Sequence, residues 1–140
     1  AGLNALEGCR VRKASRLYET APVGPSDEPY LNQAVEILTD RTAIGLLIEA
    51  KRLEAAAGRR PGLRWGARAL DIDILALGRE RVSTPWLKVP HPATAGRAFA
   101  LAPLSDIAPA FKPDGRKSVR ALLAAMKPDP RIVKLWRNGR

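Results

Sequence analysis

The stretch Gly58–Leu77, GRRPGLRWGARALDIDILAL, decides how the rest of the chain is read. Glycine and proline forbid a regular element over GRRPGLRWGA, which is therefore a loop. Four arginines, Arg59, Arg60, Arg64 and Arg68, lie within ten residues of one another. LDIDILAL, Leu70–Leu77, then alternates with the period of two that a strand requires. That period puts Asp71 and Asp73 on one face and Leu70, Ile72 and Ile74 on the other. Paired carboxylates repel and are poor strand formers, so a cation is expected beside them.

Upstream of the basic loop, Thr42–Ala57 has the pattern of a helix, with Ile44, Leu47, Ile48 and Leu53 as its apolar positions and alanines between them. Asp40 or Thr42 can cap its start and Gly58 can end it. Two strands, Arg10–Thr20 and Tyr30–Thr39, flank the loop APVGPSDEP and can pair as a hairpin. Ala1–Leu6 reads as the last turns of a helix closed by Gly8, as if the chain opened inside an element. Downstream come an extended piece around Leu87–Val89, a PHP turn, an apolar helix near Phe99–Leu104 and a helix over Ser118–Met126. Strands and helices in this order define an α+β or α/β chain.

With 140 residues the chain suits one domain, 1–140. Hydrophobic residues at 46% and charged residues at 27% exclude intrinsic disorder and coiled coil. No apolar run reaches the roughly 18 to 20 residues of a membrane span, and AGLNALEGCRVRKA lacks a signal-peptide core, so a soluble cytoplasmic protein is expected. Cys9 is the one cysteine, which excludes an intramolecular disulfide and a Cys-rich zinc site. The net charge of +10 favours partners that carry negative charge: nucleic acid, phosphorylated metabolites or anionic membranes.

For the Asp71/Asp73 pair the natural cation is magnesium, which prefers oxygen ligands and is commonly held by one or two carboxylates together with phosphate oxygens. The plainer alternative is a solvated face whose aspartates pair with nearby arginines. An arginine-rich loop feeding a two-carboxylate strand is also how a site for a metal-bound polyphosphate can be assembled.

The run GRRPGLRWGARALDIDIL resembles the 6-hydroxymethyl-7,8-dihydropterin pyrophosphokinase family of folate biosynthesis. YETAPVG (Tyr18–Gly24), YLNQAV (Tyr30–Val35), LKVPHP (Leu87–Pro92) and RAFALAPLSDIAP (Arg97–Pro109) resemble the same family and stand in the same order, from Ala1 to about Met126. The resemblance implies an α+β, ferredoxin-like sandwich with a mostly antiparallel sheet. It implies transfer of pyrophosphate from ATP to the hydroxymethyl oxygen of the reduced pterin, giving AMP, with two magnesium ions. By the same resemblance Asp71 and Asp73 match metal carboxylates, and Arg59 and Arg68 match catalytic arginines. Thr20, Pro22, Val23, Tyr30, Asn32 and Phe99 fall on the pterin pocket. Glu54, Arg60, Trp65, Ile74, Leu87, Lys88, His91 and Arg97 fall around ATP, with Arg60 and Arg64 both open for the second loop arginine. A monomer is implied, with no membrane partner.

Some of these residues have their own physical logic. A flat pterin needs a ring to stack on, and the Asn32 amide offers both a donor and an acceptor. Without the family, Tyr30 and Phe99 read as core aromatics, His91 as an exposed turn residue and Trp65 as a cap over the core. Three departures stand out. By the resemblance, the first strand, the GSNLG-like loop and most of the first helix usual in the family are expected to be missing ahead of Ala1, the loop after Gly58 is one residue shorter, and Lys51 stands where glutamine is common. A truncated, poorly active relative and a basic nucleic-acid-binding domain are therefore the competing expectations. Against the latter, no helix-turn-helix or zinc-finger pattern is present.

Overall fold

A hydroxyl at position 42 sets the register of the longest helix. Thr42 Oγ1 accepts the Gly45 N–H at 3.0 Å, and the Thr42 carbonyl accepts the Leu46 N–H at 2.9 Å. These are the bonds of an N-cap residue. The computed structural model describes residues 8–20, 30–58, 71–126 and 133–135. In chain order its elements are the strands β1 (Cys9–Ala14), β2 (Tyr18–Thr20), β3 (Tyr30–Asn32) and β4 (Val35–Thr39), then the helix α1 (Ala43–Gly58). Strands β5 (Val82–Ser83) and β6 (Lys88–Val89) follow, then a 3-10 turn at Thr94–Gly96, helices α2 (Ala98–Ile107) and α3 (Val119–Ala125), and strand β7 (Val133–Leu135). Mixed helices and short antiparallel pairings make this an α+β fold, as the sequence implies. The expected helical turns at Ala1–Leu6 lie outside the described residues. Gly8, which was to close them, has φ +77, and a Cβ there would run into the Asp40 carboxylate.

Two compact units are distinguished. The first holds residues 1–10 and 38–91. Its core gathers Ala43, Leu87 and Val89, with Leu47, Ile74, Leu77 and Val82 packed against them. On α1 the buried positions are Ala43, Leu46 and Ala50, whereas Ile44 and Ile48 are 42% and 49% exposed. This corrects Ile44 and Ile48 of the expected apolar face, while Leu47 packs against the core and Leu53 is half-buried as expected. Ala43 joins Leu87 and Val89 in the core, and the inward side of α1 is the one that carries Ala43, Leu46 and Ala50.

The expected strand Leu70–Leu77 is also corrected. Asp71–Leu77 lies outside any β-ladder, although Asp71 and Asp73 are exposed and Ile72 and Ile74 half-buried, the alternation that the sequence shows. Period two reports which side chains face solvent, while a strand also needs a backbone ladder. Here the Ile72 N–H is taken by the Glu54 carboxylate, and the Leu75 carbonyl accepts the His91 N–H at 2.8 Å. β5 and β6 form the antiparallel pair Val82↔Val89 and Ser83↔Lys88, closed through the Thr84 hydroxyl, which accepts the Leu87 N–H at 2.9 Å.

The second unit holds residues 11–37 and 92–140. It contains a three-stranded antiparallel sheet in the order β3-β2-β7, with Tyr18 opposite Asn32 and Leu135, and Thr20 opposite Tyr30 and Val133. The expected hairpin is present but interrupted. The Ser15 N–H bonds the Ala34 carbonyl at 2.8 Å, so from that pair to Tyr18/Asn32 one strand advances three residues and the other two. One extra residue makes a bulge, whose loose groups are tied by Ser15 Oγ accepting the Ala34 N–H and by Gln33 Nε2 donating to the Ser15 carbonyl. Helix α2 packs on β2, β3, β7 and α3. Its core residue Leu101 is fully buried together with Val119, the first residue of α3, which Ser118 caps by accepting the Ala121 N–H at 3.1 Å. Strand β7 was not anticipated from the sequence. Among the described residues no helix is long and apolar enough to cross a membrane.

Candidate active site

The site begins from one carboxylate on α1. Glu54 Oε2 accepts the Ile72 N–H at 2.6 Å, and Oε1 accepts from Lys51 Nζ at 3.1 Å. Burial pushes the Glu54 carboxyl up, but the Ile72 N–H and then Lys51 outweigh it. The group therefore sits below its ordinary value of 4.5. Ile72 lies between Asp71 and Asp73, so Glu54 fixes the backbone of the very segment that presents the two exposed aspartates. This contact spans 18 residues and has no local sequence signal. Lys51 is the cation that partners Glu54.

The donor set suits magnesium. Asp71 and Asp73 are exposed oxygen donors at alternate positions, which fits an ion that takes one or two carboxylates and completes its shell with phosphate and water oxygens. Among the described residues no group of three or more His, Cys, Asp or Glu side chains gathers, the pattern of a dedicated protein cage.

The same unit places the other expected nucleotide residues. Ile74 is half-buried against the core, and Leu87 is in it, with its backbone N–H and carbonyl both bonded to Thr84. Lys88 is exposed on β6, and His91 is half-buried with its N–H held by the Leu75 carbonyl.

In the second unit Thr20 is buried and Asn32 half-buried, and Asn32 Nδ2 donates to Thr20 Oγ1 at 3.0 Å. Tyr30 is on β3 opposite Thr20. Arg97 precedes α2 and its guanidinium carbon lies 5.5 Å from the centroid of the Phe99 ring, which is 38% exposed. The structure thus brings Thr20 to Asn32 and Arg97 to Phe99. Pro22, Val23, Arg59, Arg60, Arg64, Trp65 and Arg68 lie outside the described residues. A shallow cleft of about 390 Å³ lined by Ser105, Pro109, Arg120, Leu123 and Ala124 contains none of the expected site residues.

Residues 1–109 match the family model of 7,8-dihydro-6-hydroxymethylpterin-pyrophosphokinase. The chain belongs to that family. A 2-amino-4-hydroxy-6-hydroxymethyldihydropteridine pyrophosphokinase of Pseudomonas aeruginosa is 42% identical over 118 residues, 83% of this chain and 72% of that protein. One from Methylorubrum extorquens is 43% identical over 127 residues, 90% of this chain and 80% of that protein. The mitochondrial folate synthesis bifunctional protein of Arabidopsis thaliana is 45% identical over 101 residues, 71% of this chain and 18% of that protein. This pyrophosphokinase is accordingly an ATP-dependent transferase of folate biosynthesis. The nucleic-acid-binding alternative is not favoured.

Proposed function

We propose that residues 1–140 work as one pyrophosphokinase domain that moves the pyrophosphoryl group of ATP to the hydroxymethyl oxygen of 6-hydroxymethyl-7,8-dihydropterin. That oxygen forms a bond to the β-phosphorus, the bond from that phosphorus to the α,β-bridging oxygen breaks, AMP leaves, and the hydroxyl proton is lost. The observation that carries the reading is the exposed Asp71/Asp73 pair on a backbone held by Glu54. Asp71 and Asp73 would hold magnesium, two ions being expected, which when bound neutralises charge on the phosphates.

Arg59 and Arg68 meet the charge on the transferring phosphates, and one of Arg60 and Arg64 supports them. Glu54 keeps the aspartate segment in place, while Lys88, His91 and Arg97 supply donors toward the nucleotide and Trp65 covers it. Ile74 and Leu87 shape the floor beneath. On the pterin side, one Asn32 N–H is spent on Thr20, which orients the amide so that its carbonyl and its second N–H serve the pterin edge. Tyr30 and Phe99 offer ring faces, and Pro22 and Val23 complete the pocket. A cytoplasmic monomer is the form we assign.

Incubating the chain with ATP, magnesium and the pterin and separating the nucleotides tests the reaction. AMP in step with pterin pyrophosphate is expected. ADP instead would replace pyrophosphoryl with phosphoryl transfer.

A further inference from the structure

Asp106, near the end of α2, accepts a fork from Arg16, with Nη2 to Oδ1 at 2.8 Å and Nε to Oδ2 at 3.0 Å. The Arg16 backbone N–H donates to Oδ2 at 3.1 Å, and the Tyr18 hydroxyl lies 3.1 Å from both oxygens. Arg16 Nη2 also donates to the Tyr18 hydroxyl at 3.1 Å, and its guanidinium carbon is 5.8 Å from that ring's centroid. Arg16 is 64% exposed, but the Asp106 side chain is 14% exposed and Tyr18 is buried, so the junction is anchored on its inner side. The hydrogen bond from Arg16, more than the opposing effect of burial, holds the Asp106 carboxyl below the usual range.

The location gives this cluster its meaning. Strand β2 has three residues, paired with β3 on one side and β7 on the other. Tyr18, at its start, is opposite Asn32, and Thr20, at its end, accepts from Asn32. Helix α2 packs on β2 and β3, and its first turn carries Phe99, about 10 Å along the axis from Asp106 at the rise of an α-helix. A bidentate guanidinium–carboxylate pair is specific in angle as well as distance.

We propose that Asp106 is a positioning residue for the pterin: through Arg16 and Tyr18 it sets the strand pair bearing Thr20 and Asn32 relative to Phe99. This rests on the pterin pocket assigned above. Asp106 itself touches no substrate.

The test uses the 140-residue chain and 6-hydroxymethylpterin as a fluorescent probe, titrated with a nonhydrolysable ATP analogue and magnesium present. The analogue is titrated separately without pterin. Asp106→Ala is expected to weaken pterin binding about tenfold and leave analogue binding within about twofold. Asp106→Asn, which keeps an acceptor for Tyr18, is expected to recover part of the loss. If Asp106→Ala does not fold, Arg16→Met removes the fork and the guanidinium contacts with Tyr18 while keeping the backbone N–H bond to Asp106, and is expected to show the same selective loss. Parallel loss of both affinities would make the cluster a general stabiliser and overturn the proposal, as would pterin binding unchanged in the variants. Absence of pterin binding by the unaltered chain would instead overturn the pocket assignment, and this proposal with it.

Discussion

Glu54 holds Ile72 by its backbone, Oε2 accepting the N–H at 2.6 Å, and so a helix side chain carries the bond that a neighbouring strand would otherwise make. Removing the acceptor leaves a half-buried N–H without its charged partner, at about 1–3 kcal/mol. Glu54→Ala is expected to lower stability by that amount in urea unfolding, and Glu54→Gln, which retains an acceptor oxygen, by less. Equal stability of Glu54→Ala and the unaltered chain would show that the segment is held elsewhere.

The same bond has a pH signature. The folded Glu54 carboxyl is held below its ordinary value of 4.5, so its ionised form stabilises the fold above that value. The contribution fades as pH falls through the lower, folded value. The stability difference between the unaltered chain and Glu54→Gln is therefore expected to be full at pH 6 and to shrink steadily below about pH 4. A gap that is constant from pH 6 to pH 3 would contradict the assignment.

Asp73 is exposed beside another carboxylate, so deleting it relieves repulsion and breaks no packing. Asp73→Ala is expected to lower turnover by at least about a hundredfold while leaving the melting temperature within about 2 °C. Manganese binding followed by its spin-resonance signal, in the presence of an ATP analogue, should weaken in parallel. Unaltered activity in magnesium would make the pair a solvated face.

Arg68→Ala is expected to depress kcat more than it raises the KM for ATP, because a guanidinium aimed at transferring charge binds the transition state preferentially. Arg59→Ala should follow the same pattern. A rise in KM with kcat unchanged would reduce both residues to ground-state binding.

Thr42 is exposed and caps α1, the helix that carries Glu54. Thr42→Ala is expected to cost about 1 kcal/mol of stability with kcat unchanged at a temperature where the variant is folded. A loss of kcat without loss of stability would show that the cap acts on the site directly.

Some of this was written in local sequence. Thr42 opens α1 because capping bonds reach only three or four residues, and the hairpin followed from two β-rich runs around a proline-rich loop. The exposure of Asp71 and Asp73 followed from a period of two. The metal and substrate roles proposed for these residues rest on ordered motifs that resemble a family, since DxD alone equally describes a wet strand face.

The tertiary structure decided what no window of sequence contains. It turned the side of α1 that carries Ala43, Leu46 and Ala50 inward, with Ala43 in the cluster of Leu87 and Val89, and left Ile44 and Ile48 half in solvent. It gave the Ile72 N–H to Glu54, put a bulge after Ser15, and brought β7 to the edge of β2. It also joined Arg16 to Asp106 across 90 residues. Local sequence determines propensity and solvent-facing pattern, because both act within a few residues. Which backbone groups and charges meet is settled only when distant segments compete for the same partners, and that competition exists only in the folded chain.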